Sequence, residues 1–141
     1  MTEDTALKFR SGELTLSDWE GWTDEIRTEL ERNEFNGNVG TKLLLENDRL
    51  RVWEIPLGLG ERLSPHRHVL DYFWTAVTSG RFLQRSYDGT SWGNDYDAGL
   101  TFYADVEEGE FAWHDLENHG PGDMIFTTVE FKNGANEPLG I

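Results

Sequence analysis

From residue 41 onward, apolar and polar residues alternate in short runs broken by turn residues. Residues 41–46 and 50–57 form two such runs, split by Asn47-Asp48, a turn-forming pair. Within the second, Val52 and Glu54 face one way and Trp53 and Ile55 the other, the period of a strand. The same pattern predicts strands over 72–79, 81–87, 100–106, 110–114 and 124–131. In the last, Ile125, Thr127 and Val129 alternate against Phe126, Thr128 and Glu130. Asp88-Gly89 opens a predicted loop that runs through Trp92-Gly93-Asn94. Ahead of the strands, Trp19, Trp22, Ile26 and Leu30 recur at helical spacing. Ser17 with Glu20 has the spacing of a capping box, and Asn33 with Asn36-Gly37-Asn38 marks the end. Residues 1–16 are polar and read as an arm or a first edge strand. Many short strands behind one helix predict an all-β, antiparallel barrel or jelly roll, with the helix on the outside of a sheet. The expected division is an arm and helix over 1–39 and a barrel over 40–141.

Composition supports this. Fifteen glycines and six tryptophans suit a turn-rich β fold. A chain of 141 residues buries about two thirds of its unfolded surface and needs no staples. There is no cysteine, which removes disulfides, thiolate metal sites and a cysteine nucleophile. The start is polar and acidic and lacks the apolar core of a secretory signal, so a cytoplasmic location is the expectation. The formal net charge of −15 repels nucleic acid and anionic lipid, so neither is an expected partner.

The candidate chemistry lies in the histidines. His66 and His68 stand at i and i+2, so on a strand both imidazoles point to one face and form half of a metal site. His114 and His119 come from a later strand end, and either could complete it. No Ser-His-Asp order, nucleophile elbow, phosphate-cradling loop or dinucleotide fingerprint is present.

The spacing around the pair is specific. Gly60, five residues, His66-Arg67-His68, four residues, Phe73, six residues and Gly80 resemble the first motif of the cupin superfamily, with Phe73 where that motif carries glutamate. His114, three residues and Asn118 resemble the end of its second motif. The resemblance covers roughly 40–131 and implies a small cupin, a jelly-roll barrel that forms a homodimer and holds one divalent transition metal. Carried over by position, it makes His66, His68 and His114 the ligands and leaves His119 in a turn. With Phe73 in place of the carboxylate, the site resembles the three-histidine centres of some cupin dioxygenases. That implies Fe(II), with Zn, Mn or Ni as other candidates, acting on a small organic acid or dicarbonyl substrate. A metal-dependent isomerase or lyase, or a barrel that only binds a small ligand, shares these features.

Asp71 is a candidate additional ligand. By parity with the histidines, Phe73, Thr75 and Val77 are expected to follow the ligand face, with Phe73 and Thr75 lining the substrate pocket. Tyr72 is expected at packing or at the pocket mouth; on the next strand either Phe82 and Gln84 or Leu83 and Arg85 face inward, with Gln84 as the expected substrate contact. Trp53, Phe102 and Trp113 are candidate aromatic walls. Arg51 and Arg62 could pair with a substrate carboxylate or with surface acids.

Overall fold

The computed structural model describes residues 12–141; the arm expected over 1–16 therefore lies in part outside the described residues. Among the described residues, ten strands form two five-stranded antiparallel sheets. The first has the order β1-β7-β6-β9-β4 and the second β2-β3-β10-β5-β8. The strands are β1 (Leu14–Leu16), β2 (Lys42–Glu46), β3 (Leu50–Leu57), β4 (Arg62–His68), β5 (Asp71–Ala76), β6 (Gly80–Arg85), β7 (Ser91–Tyr96), β8 (Thr101–Ala104), β9 (Ala112–Asn118) and β10 (Met124–Phe131). The two sheets face each other as a jelly roll. One helix, α1 (Asp24–Arg32), lies outside the first sheet beside β4.

Strict alternation fixed the longest strands. β3 and β10 run in register over eight residue pairs, from Met124 opposite Leu57 to Phe131 opposite Leu50. Their inward sides carry Trp53, Ile55, Leu57, Met124 and Phe126, all buried. With Leu63, Ala76, Phe82, Tyr96 and Leu116, the residues from Ile55 and Met124 onward pack one end of the barrel solid. β4 leaves that core at Leu63. A register shift against β9 between Leu63 and His66 then resets the pairing, so that His66 stands opposite His114.

Two local expectations differ from the structure. The helix begins at Asp24, and Thr23 caps it, its Oγ1 accepting from the Ile26 N–H at 3.1 Å. Residues 17–22 are instead a turn, with Asp18 and Trp19 at φ 56° and 58°. Trp19 packs over Gly89, where a Cβ would stand 2.6 Å from the indole and φ is +89°. Trp22 Nε1 donates to Ser91 Oγ at 2.8 Å. Ile26 and Leu30 of the expected stripe are the buried helix residues. Second, the expected loop through Trp92-Gly93-Asn94 is strand β7, paired on both sides; ladders to β1 and β6 outweigh the turn-like composition. β1 stands at the edge of the first sheet and pairs with β7, in line with the edge-strand expectation for residues 1–16.

The outside of the first sheet holds a buried charge cluster. Asp115 accepts from the Arg85 backbone N–H at 2.8 Å, from Arg85 Nη1 at 3.0 Å and from Arg62 Nη2 at 3.2 Å. Arg85 reaches Glu117 at 2.8 Å, and Arg62 also pairs with Glu29 of α1. Arg51 bonds Glu46 and the Leu139 carbonyl. Both basic residues near the motif thus serve the scaffold.

Candidate metal centre

β4 and β9 are hydrogen-bonded neighbours, so their inward positions bring His66, His68 and His114 together. One ring nitrogen from each lies within 4.8 Å of the others. The ring centroids are 5.0, 4.8 and 5.2 Å apart and the rings stand nearly perpendicular. His66 Nδ1 lies 2.9 Å from the Ser64 carbonyl. A carbonyl only accepts, so this bond places the proton on Nδ1 and leaves Nε2 with a free lone pair. His68 Nδ1 is buried and has no protein partner.

Burial holds all three rings neutral. It lowers His66 from 6.5 to about 4. His68 is pushed well below 6.5 by burial first and by His66 and His114 next; His114 is lowered by burial and then by His66. Three uncharged imidazoles with converging lone pairs are a donor set for a divalent metal, and they fit tetrahedral or open higher-coordinate sites. The residues present therefore fit the metal that the sequence implied.

The site opens into a cavity of about 530 Å³. Its walls are largely aromatic, including Tyr72, Trp74, Phe82, Trp92, Phe102 and Trp113. Gln84, Ser86, Thr101 and Thr128 add polar atoms, and Asp88 is its one carboxylate. No Lys or Arg lines it among the described residues.

Several of the expected pocket residues therefore line the cavity: Gln84, Tyr72, Trp113 and Phe102. Others do not. Phe73 and Thr75 are on the outer face of β5, where Phe73 packs near Phe131 and Thr75 Oγ1 bonds Thr101 Oγ1 at 2.8 Å. Val77 is exposed. The cause is parity. Only Val69 and Leu70 separate β4 from β5, so the inward series passes from His66 and His68 to Tyr72, Trp74 and Ala76. Tyr72 stacks on His68 with centroids 4.0 Å apart, and it occupies the interior place that the motif assigned to Phe73. Asp71 points away from the histidines; its carboxylate accepts from the Val106 N–H at 2.7 Å. Trp53 is buried inside the barrel but does not line the cavity, and its Nε1 donates to Glu130 at 2.8 Å. His119 Nε2 lies 2.9 Å from Glu117, apart from the three clustered rings. Asn118 ties the turn, donating to the Leu57 and Gly122 carbonyls and accepting from the Gly120 N–H. Sequence reasoning missed Trp74, Trp92 and Phe126; even-numbered parity carried through from His68 would have found Trp74.

Glu130 is an unexpected interior acid. Burial pushes its carboxyl up to about 7, against the pull of Trp53 and Arg51. The folded chain thus keeps a proton that the unfolded chain releases from about pH 4.5 upward. The stabilisation is present below that pH and is lost as pH rises through about 7. Glu130→Gln keeps an acceptor for Trp53 and removes the loss. Urea denaturation at about pH 8 should show the variant more stable than the parent by up to about 3 kcal/mol, with little difference at about pH 4.5. An equal difference at both pH values would contradict the assignment.

No protein-family model matches the sequence, and no curated protein does. Among solved structures, the chain is similar to a cupin domain from Bordetella pertussis Tohama I. The TM-score is 0.56 at 24% identity, covering 64% of this chain and 90% of that one. It is also similar to an uncharacterized conserved protein with a double-stranded β-helix domain from Klebsiella pneumoniae, with TM-score 0.53, 22% identity and coverage of 73% and 88%. An RmlC-like cupin family protein from Methanocaldococcus jannaschii matches with TM-score 0.50 and 17% identity, covering 67% and 83%. At these identities the likeness speaks for the fold.

Proposed function

From the premise that the chain is a small domain of cupin fold, we propose that it is a three-histidine Fe(II) dioxygenase that cleaves a small, apolar 1,3-dicarbonyl compound. The observation that carries this reading is the pairing of three neutral imidazoles with an aromatic cavity free of Lys and Arg. A polyacid would find no cation there beyond the metal, whereas a dicarbonyl bound as its monoanionic enolate needs only the metal's charge. His66, His68 and His114 would hold Fe(II), which would supply the charge that offsets the enolate and the redox chemistry for O₂. Trp74, Phe102 and Trp113 take up the apolar substituents and exclude water. The Gln84 amide can donate to a substrate carbonyl at the wall, and stacking by Tyr72 fixes the plane of the His68 ring. One carbon–carbon bond breaks and both oxygen atoms of O₂ enter the two fragments, so no external reductant is required.

The test is oxygen consumption by Fe(II)-loaded protein with a panel of apolar 1,3-dicarbonyls and of dicarboxylic keto acids. Uptake stoichiometric with substrate, seen with the dicarbonyls and absent in the Zn form, is the expected result. Turnover without oxygen uptake would replace this reading with an isomerase or lyase. Binding without turnover would make the barrel a ligand-binding module.

A further inference from the structure

β4 and β9 carry all three histidines, yet the ladder between them is short where those histidines stand. Among the described residues, β4 is at the edge of the first sheet. Beyond the register shift three residue pairs remain: His66 with His114, Arg67 with Trp113, and His68 with Ala112. On the other side of β9, the β6 pairing covers Asn118 and Glu117, and an isolated bridge joins Ser86 to His114. On the outer edge of β4, Asn36 bonds the Pro65 carbonyl and the Arg67 N–H. A strand end frays unless something beyond it is fixed.

The next rung is built by a side chain. Asn136 lies on the segment that follows β10. Its Nδ2 donates at 2.9 Å to the carbonyl of Val69, the residue after His68. It also donates to the Glu107 carbonyl at 2.9 Å, with the Val106 carbonyl at 3.4 Å. Its Oδ1 accepts from the Gly109 N–H at 2.9 Å. One amide thus uses its donors and its acceptor to join the chain leaving β4 to the turn that leads into β9. That turn is closed by the Glu110 N–H on the Glu107 carbonyl at 2.9 Å, with Gly109 at φ +79°. Asp71 makes a second tie, accepting from the Val106 N–H. The segment that carries Asn136 is itself held. A Cβ at Gly134 would stand 3.1 Å from Asp71 Oδ2, and the Leu139 carbonyl accepts from Arg51 Nη2 at 3.0 Å.

We propose that Asn136 is a positioning residue of the metal centre: it clamps the ends of β4 and β9 so that His68 stays in register with His66 and His114. The proposal rests on the three-histidine reading of the site. Asn136 acts through the backbone of Val69 and of residues 106–109. With the clamp in place, the three nitrogens converge before a metal arrives, and binding orders nothing further. Without it, the strand ends sample arrangements in which the nitrogens diverge. The dissociation constant then rises in inverse proportion to the fraction in register. Groups that fix the ligands of a metal typically carry about 10–100-fold in affinity. The clamped turn also walls a second cavity of about 470 Å³, which shares Tyr72, Tyr87 and Ala112 with the metal cavity. The same amide therefore fixes one side of the approach to the metal.

Titration of the metal-free full chain with Co²⁺, followed by calorimetry and by the visible absorption of the bound ion, tests this. Asn136→Ala and Asn136→Leu are each expected to raise the Co²⁺ dissociation constant by about tenfold and to shift the visible band, because the ligand angles relax. Leucine keeps the volume of asparagine and removes its bonds, so equal losses assign the effect to the bonds. Asn136→Ser keeps one donor, gives a smaller loss in the same direction, and stands in if the other variants fail to fold. Trp22→Phe removes one hydrogen bond far along the first sheet. It should leave the dissociation constant within about twofold even where it lowers the urea midpoint. Hydrogen exchange of the metal-free proteins gives a second readout: amides of residues 107–114 should exchange about tenfold faster in the Asn136 variants. Parent-like affinity and spectrum in those variants would overturn the proposal and leave the three-histidine site standing. Affinity retained in Asn136→Leu alone would assign the effect to packing and overturn it too. A parent chain that takes up no Co²⁺ would overturn the three-histidine reading, and this proposal with it.

Discussion

Replacing His114 with alanine is expected to lower divalent-metal affinity by at least about 100-fold, while replacing His119 leaves it unchanged. The three clustered nitrogens lie within 4.8 Å of each other, and removing one leaves two donors on a single strand. Two imidazoles cannot enclose a cation, and among the described residues no further His, Asp or Glu groups with the three histidines to replace the lost donor. His119 faces Glu117 instead and belongs to the outer charge cluster. Isothermal titration of the metal-free variants with Zn²⁺ or Fe²⁺ separates the two. Equal losses in both variants would mean that His119 takes part in the site.

Replacing Asp115 with alanine is expected to destabilise the fold by about 3–5 kcal/mol. Asp115 is 1% exposed and Arg85 3%, so the pair has almost no access to water. Burial pushes the Asp115 carboxyl up, and Arg85 and Arg62 pull it back toward ionisation. The pair itself adds little net stability, because desolvation cancels much of the attraction. Removing only the carboxylate is costly because it strands the Arg85 guanidinium, buried with Glu117 as its remaining partner. It also removes the acceptor of the Arg85 N–H. Urea denaturation gives the loss directly, and a value under about 1 kcal/mol would show that water reaches the cluster.

Both effects bear on what the sequence makes legible. β3 and β10 could be read because their alternation is strict and their boundaries are sharp. The histidine pair could be read because a strand period of two needs no tertiary information. The role of Phe73 could not. Its spacing from His68 suits the motif with four intervening residues, yet the two-residue passage between sheets keeps even positions inward and gives the interior place to Tyr72. Side-chain direction there depends on a connection, and connections carry little periodic signal. β7 was hidden for a related reason. Gly93 and Asn94 look like turn residues, but Gly93 sits between Leu14 and Leu83 in two ladders, and those ladders are long-range contacts. The Asp115 cluster joins α1, β4, β6 and β9, so no local window holds enough of it to be recognised.

The central claim is that His66, His68 and His114 hold one metal ion. Elemental analysis of the protein, purified without chelators after expression in iron-supplemented medium, tests it most directly. The account predicts about one equivalent of a divalent transition metal per chain, falling to background in the His114→Ala protein. Less than about a tenth of an equivalent in the parent protein, with no uptake on titration, would contradict it.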